Sequence, residues 1–167
     1  MRHFHKFSYI SAERTALAAV LRGGAGYENI EGLVTVYWLP DALFLQAEFT
    51  GLPPSEVFGL HVHSGFSCGS PTSTDEHGAF AQAGEHFSNC GNIGIWCDRH
   101  PYHAGDLPLI FSDANGAAVM GVYLDKTNSQ ELSGRTVVLH SRPDDFKTQP
   151  SGNSGMRIAC GVLAETL

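Results

Sequence analysis

The chain has 167 residues, 43% of them hydrophobic, which suits one domain with a single core. Only 16% are charged, and 10 Lys or Arg against 17 Asp or Glu leave a net charge of −7, so nothing suggests a nucleic-acid partner. No run of roughly 18 apolar residues occurs, which excludes a membrane-spanning helix.

The chain opens Met1-Arg2-His3-Phe4-His5-Lys6-Phe7, without the apolar stretch and small-residue cleavage site of a secretory leader. This favours a cytoplasmic protein; a secreted or periplasmic one whose leader has been removed is the alternative. Residues 1–14 read as a tail, in which His3 and His5 suit a disordered end better than a loose metal site, and 15–167 as one domain. Nineteen glycines and eight prolines supply turns between short strands. Apolar alternation predicts strands over 15–21, 32–38 and 42–49, parted by turn residues such as Gly23-Gly24 and Pro40-Asp41. A fourth strand is predicted over 57–63. The segment 64–111 then runs with little periodicity and many turn residues, and a loop of that length is usually functional or disordered. Strands resume over 117–124, 135–140 and 156–163, with a polar loop over 141–155 containing Pro143 and Pro150. No amphipathic helix is predicted. Regularly spaced strands with two long loops point to a β-sandwich or Greek-key barrel.

The histidines carry the chemistry. His61-Val62-His63, His86, His100, His103, Asp106 and His140 place six of nine histidines and one carboxylate between positions 61 and 140. Neutral imidazole suits copper and zinc, and tetrahedral zinc accepts three nitrogens and one oxygen. Seven donors are one short of two four-coordinate sites unless one imidazole serves both metals. On a strand, residues two apart face one side, so His61 and His63 can converge.

The blocks Gly59-Leu60-His61-Val62-His63, Gly84-Glu85-His86-Phe87, His103-Ala104-Gly105-Asp106-Leu107-Pro108, Gly134-Arg135-Thr136-Val137-Val138-Leu139-His140 and Gly152-Asn153-Ser154-Gly155-Met156-Arg157-Ile158-Ala159-Cys160-Gly161 resemble those of copper/zinc superoxide dismutases, in the family's order. The resemblance covers roughly 15–164. It implies an eight-stranded, flattened Greek-key β-barrel with two long functional loops. It implies copper on His61, His63, His86 and His140, and zinc on His86, His100, His103 and Asp106, with His86 as the shared imidazolate. His86 and Arg157 would be the catalytic pair: a proton carrier and a docking cation for superoxide, with Lys147 or Arg142 as helpers. Asp144 would join the rings of His61 and His100.

The zinc segment departs from the family's commonest spacing. His100 follows His86 by 14 residues but precedes His103 by only 3. His100 is preferred to His77, which precedes the bridging block. The resemblance also implies a Cys68–Cys160 disulfide. Cys90 and Cys97 are extra, and a second local disulfide is favoured over two free thiols or a Cys-bound metal, since no Cys-x-x-Cys occurs. The expected function is dismutation of superoxide at copper beside a structural zinc, in a monomer or homodimer. The main rival is a non-enzymatic copper-binding or copper-delivery protein on the same fold. A zinc hydrolase is disfavoured by the lack of a His-Glu-x-x-His.

Overall fold

The computed structural model describes residues 15–72, 78–89 and 99–166. The fold is all-β. Strands β1 (Thr15–Gly23), β2 (Glu31–Trp38) and β3 (Leu43–Thr50) form an antiparallel meander. Their alternation does what the sequence asks: Leu17, Ala19 and Leu21 turn inward from β1 while Val20 and Arg22 face out. Short β4 (Val57–Phe58) and β5 (Leu60–His63) follow, then β6 (Ile110–Phe111), β7 (Ala118–Leu124), β8 (Thr136–His140), β9 (Arg157–Val162) and β10 (Ala164–Glu165).

The large sheet runs β5-β8-β9-β1-β2-β3-β7, with β10 also paired to β1, and β4 pairs with β6 in a two-stranded sheet. The chain therefore leaves β3 on one side and resumes at β5 on the opposite edge, a Greek-key crossing. The curled sheet wraps one core that includes Leu17, Leu21, Val36, Leu45, Leu60, Val62, Leu139 and Ile158, each no more than 1% exposed.

Three details differ from the sequence reading. The strand predicted over 57–63 breaks at Gly59, so β4 and β5 belong to different sheets. The Gly59 N–H donates to Arg142 O and its carbonyl accepts from His140 N, both at 2.8 Å, which diverts the backbone to the strand and loop beyond. A Cβ there would meet Ser154 Cβ, Arg142 O and the His61 ring at 3.2–3.3 Å. Second, the aperiodic segment holds a 3₁₀ turn at Ala81–Ala83 and ends in β6. Third, a one-turn helix, α1 (Ser129–Leu132), is present. It is capped by Asn128, whose side chain accepts from Glu131 N while the Glu131 carboxylate accepts from Asn128 N. Asn128-x-x-Glu131 is a capping-box signal, but four residues are too few for apolar periodicity to show.

The tail assigned to 1–14, His77, and the expected pairing of Cys90 with Cys97 lie outside the described residues. Among the described residues no helix is long and apolar enough to cross a membrane.

Candidate metal centre

Strand β5 sets the geometry. It pairs with β8 on one side, placing His61 opposite Val138 and His63 opposite Thr136. Its other side is bonded by loop segments: Phe87 N donates to Val62 O at 2.8 Å, Gly105 N to Phe87 O at 2.8 Å, and Val62 N to Gly105 O at 2.9 Å. His63 bridges to His86 and His61 to Asp106 through the backbone. Gly105 must be glycine, since a Cβ would lie 2.2 Å from Val62 O. The Arg135 guanidinium then sits between the rings of Phe66 and Phe87, 4.6 and 4.7 Å from their centroids, and donates to the carbonyls of Ser64 and Glu131. This holds the residues next to His63 and His86.

The predicted side chains fall into two sets, His61, His63, His86 and His140, and His86, His100, His103 and Asp106; within each, the donor atoms lie within 4.8 Å of one another. His86 is common to both, so the seven side chains serve eight positions. All six imidazoles are buried.

His61, His63, His86, His100 and His140 each commit one ring nitrogen to a carbonyl or carboxylate oxygen. His63 Nδ1 donates to Gly84 O at 2.8 Å and His140 Nδ1 to Gly155 O at 3.4 Å, which leaves their Nε2 atoms facing each other at 3.2 Å. Asp144 accepts from His61 Nε2 at 2.8 Å and from His100 Nε2 at 2.7 Å. The opposite atoms, His61 Nδ1 and His100 Nδ1, and likewise His86 Nε2, are buried without a hydrogen-bond partner. Asp106 Oδ1 lies 2.8 Å from His86 Nδ1, and Oδ2 lies 3.1 Å from both His100 Nδ1 and His103 Nδ1. Buried lone pairs aimed at each other are costly, and a cation between them removes that cost. Carboxylate and carbonyl partners on the far nitrogens fix tautomer and ring orientation, as metal-binding histidines require. The donor set therefore fits two metal ions: four nitrogens in one set, three nitrogens and a carboxylate in the other.

Burial lowers the pKa of His61 to about 4, against a partial opposing effect of its Asp144 hydrogen bond. Burial also holds His63 and His140 well below the usual histidine range, helped by their neighbouring imidazoles. Burial would raise Asp106, but hydrogen bonds from His103 and His86 outweigh it and hold the carboxyl well below the usual range. His61, His63 and His140 are thus neutral at neutral pH. Below about pH 6.5 the unfolded chain protonates His61 while the folded one resists until about pH 4. The metal-free protein should therefore keep its full stability above pH 6.5 and lose it progressively as pH falls towards 4. Urea midpoints across that window check this; a flat profile would contradict it.

Arg157 opens β9, opposite His140 across a bulge. Its Nη1 donates to Phe80 O at 2.9 Å and its Nη2 to Gly84 O at 2.7 Å. Gly84 O therefore accepts from both Arg157 and His63, a shared anchor that sequence reasoning did not foresee although its block was in view. Burial lowers the Arg157 pKa and Glu85 opposes this, but a guanidinium stays charged. The Cys68–Cys160 disulfide, between residues 92 apart, ties this loop to β9. In the chain-entropy account such a closure stabilises by about 4–5 kcal/mol. Arg142 and Lys147 are exposed on the loop after β8.

Fold and site define a metal-binding Greek-key barrel with two adjoining donor sets. The sequence profile of copper/zinc superoxide dismutase (SODC) matches residues 30–163. The chain belongs to this family. It is 34% identical over 155 residues to a Cu-Zn superoxide dismutase of Caulobacter vibrioides, covering 87% of this chain and 83% of that protein. Superoxide dismutase 2 (Cu-Zn) of Aquifex aeolicus is 35% identical over 121 residues, 68% of this chain and 67% of that one. A crystal structure of a double mutant of an SOD-like protein from Bacillus subtilis superposes with a TM-score of 0.68 at 29% identity, covering 90% of this chain and 99% of that one. The clock protein EA4 superposes at 0.69 with 27% identity, covering 99% of this chain and 100% of that one.

Proposed function

We propose that this protein dismutes superoxide at a copper ion held by His61, His63, His86 and His140, beside a zinc ion held by His86, His100, His103 and Asp106. The observation that carries the reading is the sharing of His86 between two buried donor sets, in which His61 Nδ1, His86 Nε2 and His100 Nδ1 have no hydrogen-bond partner. When bound, copper supplies the one-electron couple that oxidises one superoxide to O₂ and reduces the next to peroxide, while zinc, which has no redox chemistry, fixes the loop.

The chain's own residues do the rest. Arg157, anchored on Phe80 and Gly84, presents a fixed cation to the anion in a protein whose net charge is −7. The carbonyls of Gly84 and Gly155 and the carboxylate of Asp144 orient the rings of His63, His140 and His61. His86 Nε2, buried without a hydrogen-bond partner, would take up a proton and pass it to the departing peroxide. A copper carrier on this fold would need the histidines but not the guanidinium, which favours the enzyme.

The deciding experiment is a superoxide assay on protein loaded with copper and zinc, with metal content measured on the same sample. Activity no higher than that of buffer would leave the copper-carrier reading in its place. Arg157→Glu should cut the rate by at least about tenfold at unchanged copper content, because an attraction becomes a repulsion. The parent's rate should fall with added salt, since screening acts over about 10 Å at 0.1 M, and the variant's should stay flat or rise. Equal rates and equal salt slopes would show that Arg157 does not dock the anion.

A further inference from the structure

His100 is the donor whose spacing is unusual, three residues before His103 in a tight turn closed by Tyr102 N donating to Arg99 O at 2.7 Å. It is buried, yet it lies in no strand that would hold its peptide groups. The side chain of Gln149, on the exposed loop after β8, does so instead. Gln149 Oε1 accepts from His100 N at 3.1 Å, and Gln149 Nε2 donates to His100 O at 2.7 Å. One side-chain amide thus pairs with both backbone groups of a single residue, as a neighbouring strand would. The same loop supplies Asp144 Oδ1 to His100 Nε2 at 2.7 Å. Ring and backbone are therefore gripped from one direction, and the open Nδ1 is left aimed at the carboxylate of Asp106, 3.1 Å away.

We propose that Gln149 is a positioning residue for the zinc site, which sets the affinity and geometry of that site by fixing the backbone of His100. This rests on the reading of His100 as a zinc ligand. Without the amide pair the ring could still bond Asp144, but the backbone carrying it would be free to rock, and Nδ1 would lose its aim. Groups that orient a ligand in this way typically change metal affinity by about 10–100-fold. Copper, whose donors lie elsewhere apart from His86, should be held as before.

The test uses the full copper-loaded chain, titrated with zinc against a competing chelator, for the parent, Gln149→Ala, Gln149→Met and His100→Ala. Methionine keeps the length of the side chain and removes both hydrogen bonds. Gln149→Ala and Gln149→Met should each weaken zinc binding about tenfold or more. Both should keep their copper content and circular dichroism, and should shift the visible bands of cobalt(II) bound in place of zinc. His100→Ala should lose more. If Gln149→Met bound zinc as tightly as the parent, with the parental cobalt spectrum, while His100→Ala lost zinc, the positioning role would be overturned and the ligand assignment would stand. If His100→Ala also bound zinc like the parent, the ligand assignment would fall and the proposal with it.

Discussion

His140→Ala should reduce superoxide dismutation by more than about 100-fold while the barrel remains folded. Losing a partner that merely orients a ligand already costs about 10–100-fold, so losing a donor itself should exceed that range. His140 ends β8, and its Nε2 faces His63 Nε2 at 3.2 Å. Its backbone N–H bonds Gly59 O at 2.8 Å and is untouched by the substitution. The neighbouring Val137, Val138 and Leu139 keep their burial in the core. Rate per chain, copper content and the thermal transition of the metal-free protein separate loss of the site from loss of the fold. A variant with parental rate would show that His140 is no ligand.

Asp144→Ala should weaken both metals at once, by about 10–100-fold each. Its two oxygens accept from His61 Nε2 and His100 Nε2, one histidine from each donor set, and Oδ1 also accepts from Phe146 N at 2.6 Å. Removing the carboxylate leaves two buried ring N–H groups without acceptors and releases the turn that carries Phe146. Burial would raise the Asp144 pKa, but the His61, Phe146 and His100 hydrogen bonds together lower it, so it is a carboxylate at working pH. Metal affinities measured by chelator competition, copper and zinc in turn, check the expectation. Loss confined to one metal would mean that the bridge does not couple the two sets.

Much of this centre was legible in the chain because its donors sit in motifs of fixed local geometry. His61 and His63 alternate on one strand, and the short run from His103 to Asp106 brings a ring and a carboxylate together in one turn. Counting seven donors against eight positions called for one shared imidazole, and the family resemblance named His86 as that one. Other features were not legible, for physical reasons. The break at Gly59 is decided by tertiary hydrogen bonds to Arg142 and His140, which strand alternation does not encode. Gly84 acts through its carbonyl, and a backbone group leaves no mark in side-chain chemistry. Gln149 is a polar loop residue with nothing in its neighbourhood to single it out, and its role exists only because the fold brings it to His100. The helix over Ser129–Leu132 had a readable cap but no period.

The two donor sets stand on unlike ground. His61, His63 and His140 ride on β5 and β8, where adding or deleting one residue would flip every following side chain to the opposite face. His100, His103 and Asp106 ride on the connection between β5 and β6, which can gain or lose length without shifting any strand register. Insertions and deletions should therefore be tolerated around one donor set and forbidden around the other. The short step from His100 to His103 is a change of the tolerated kind, made where the barrel does not register it.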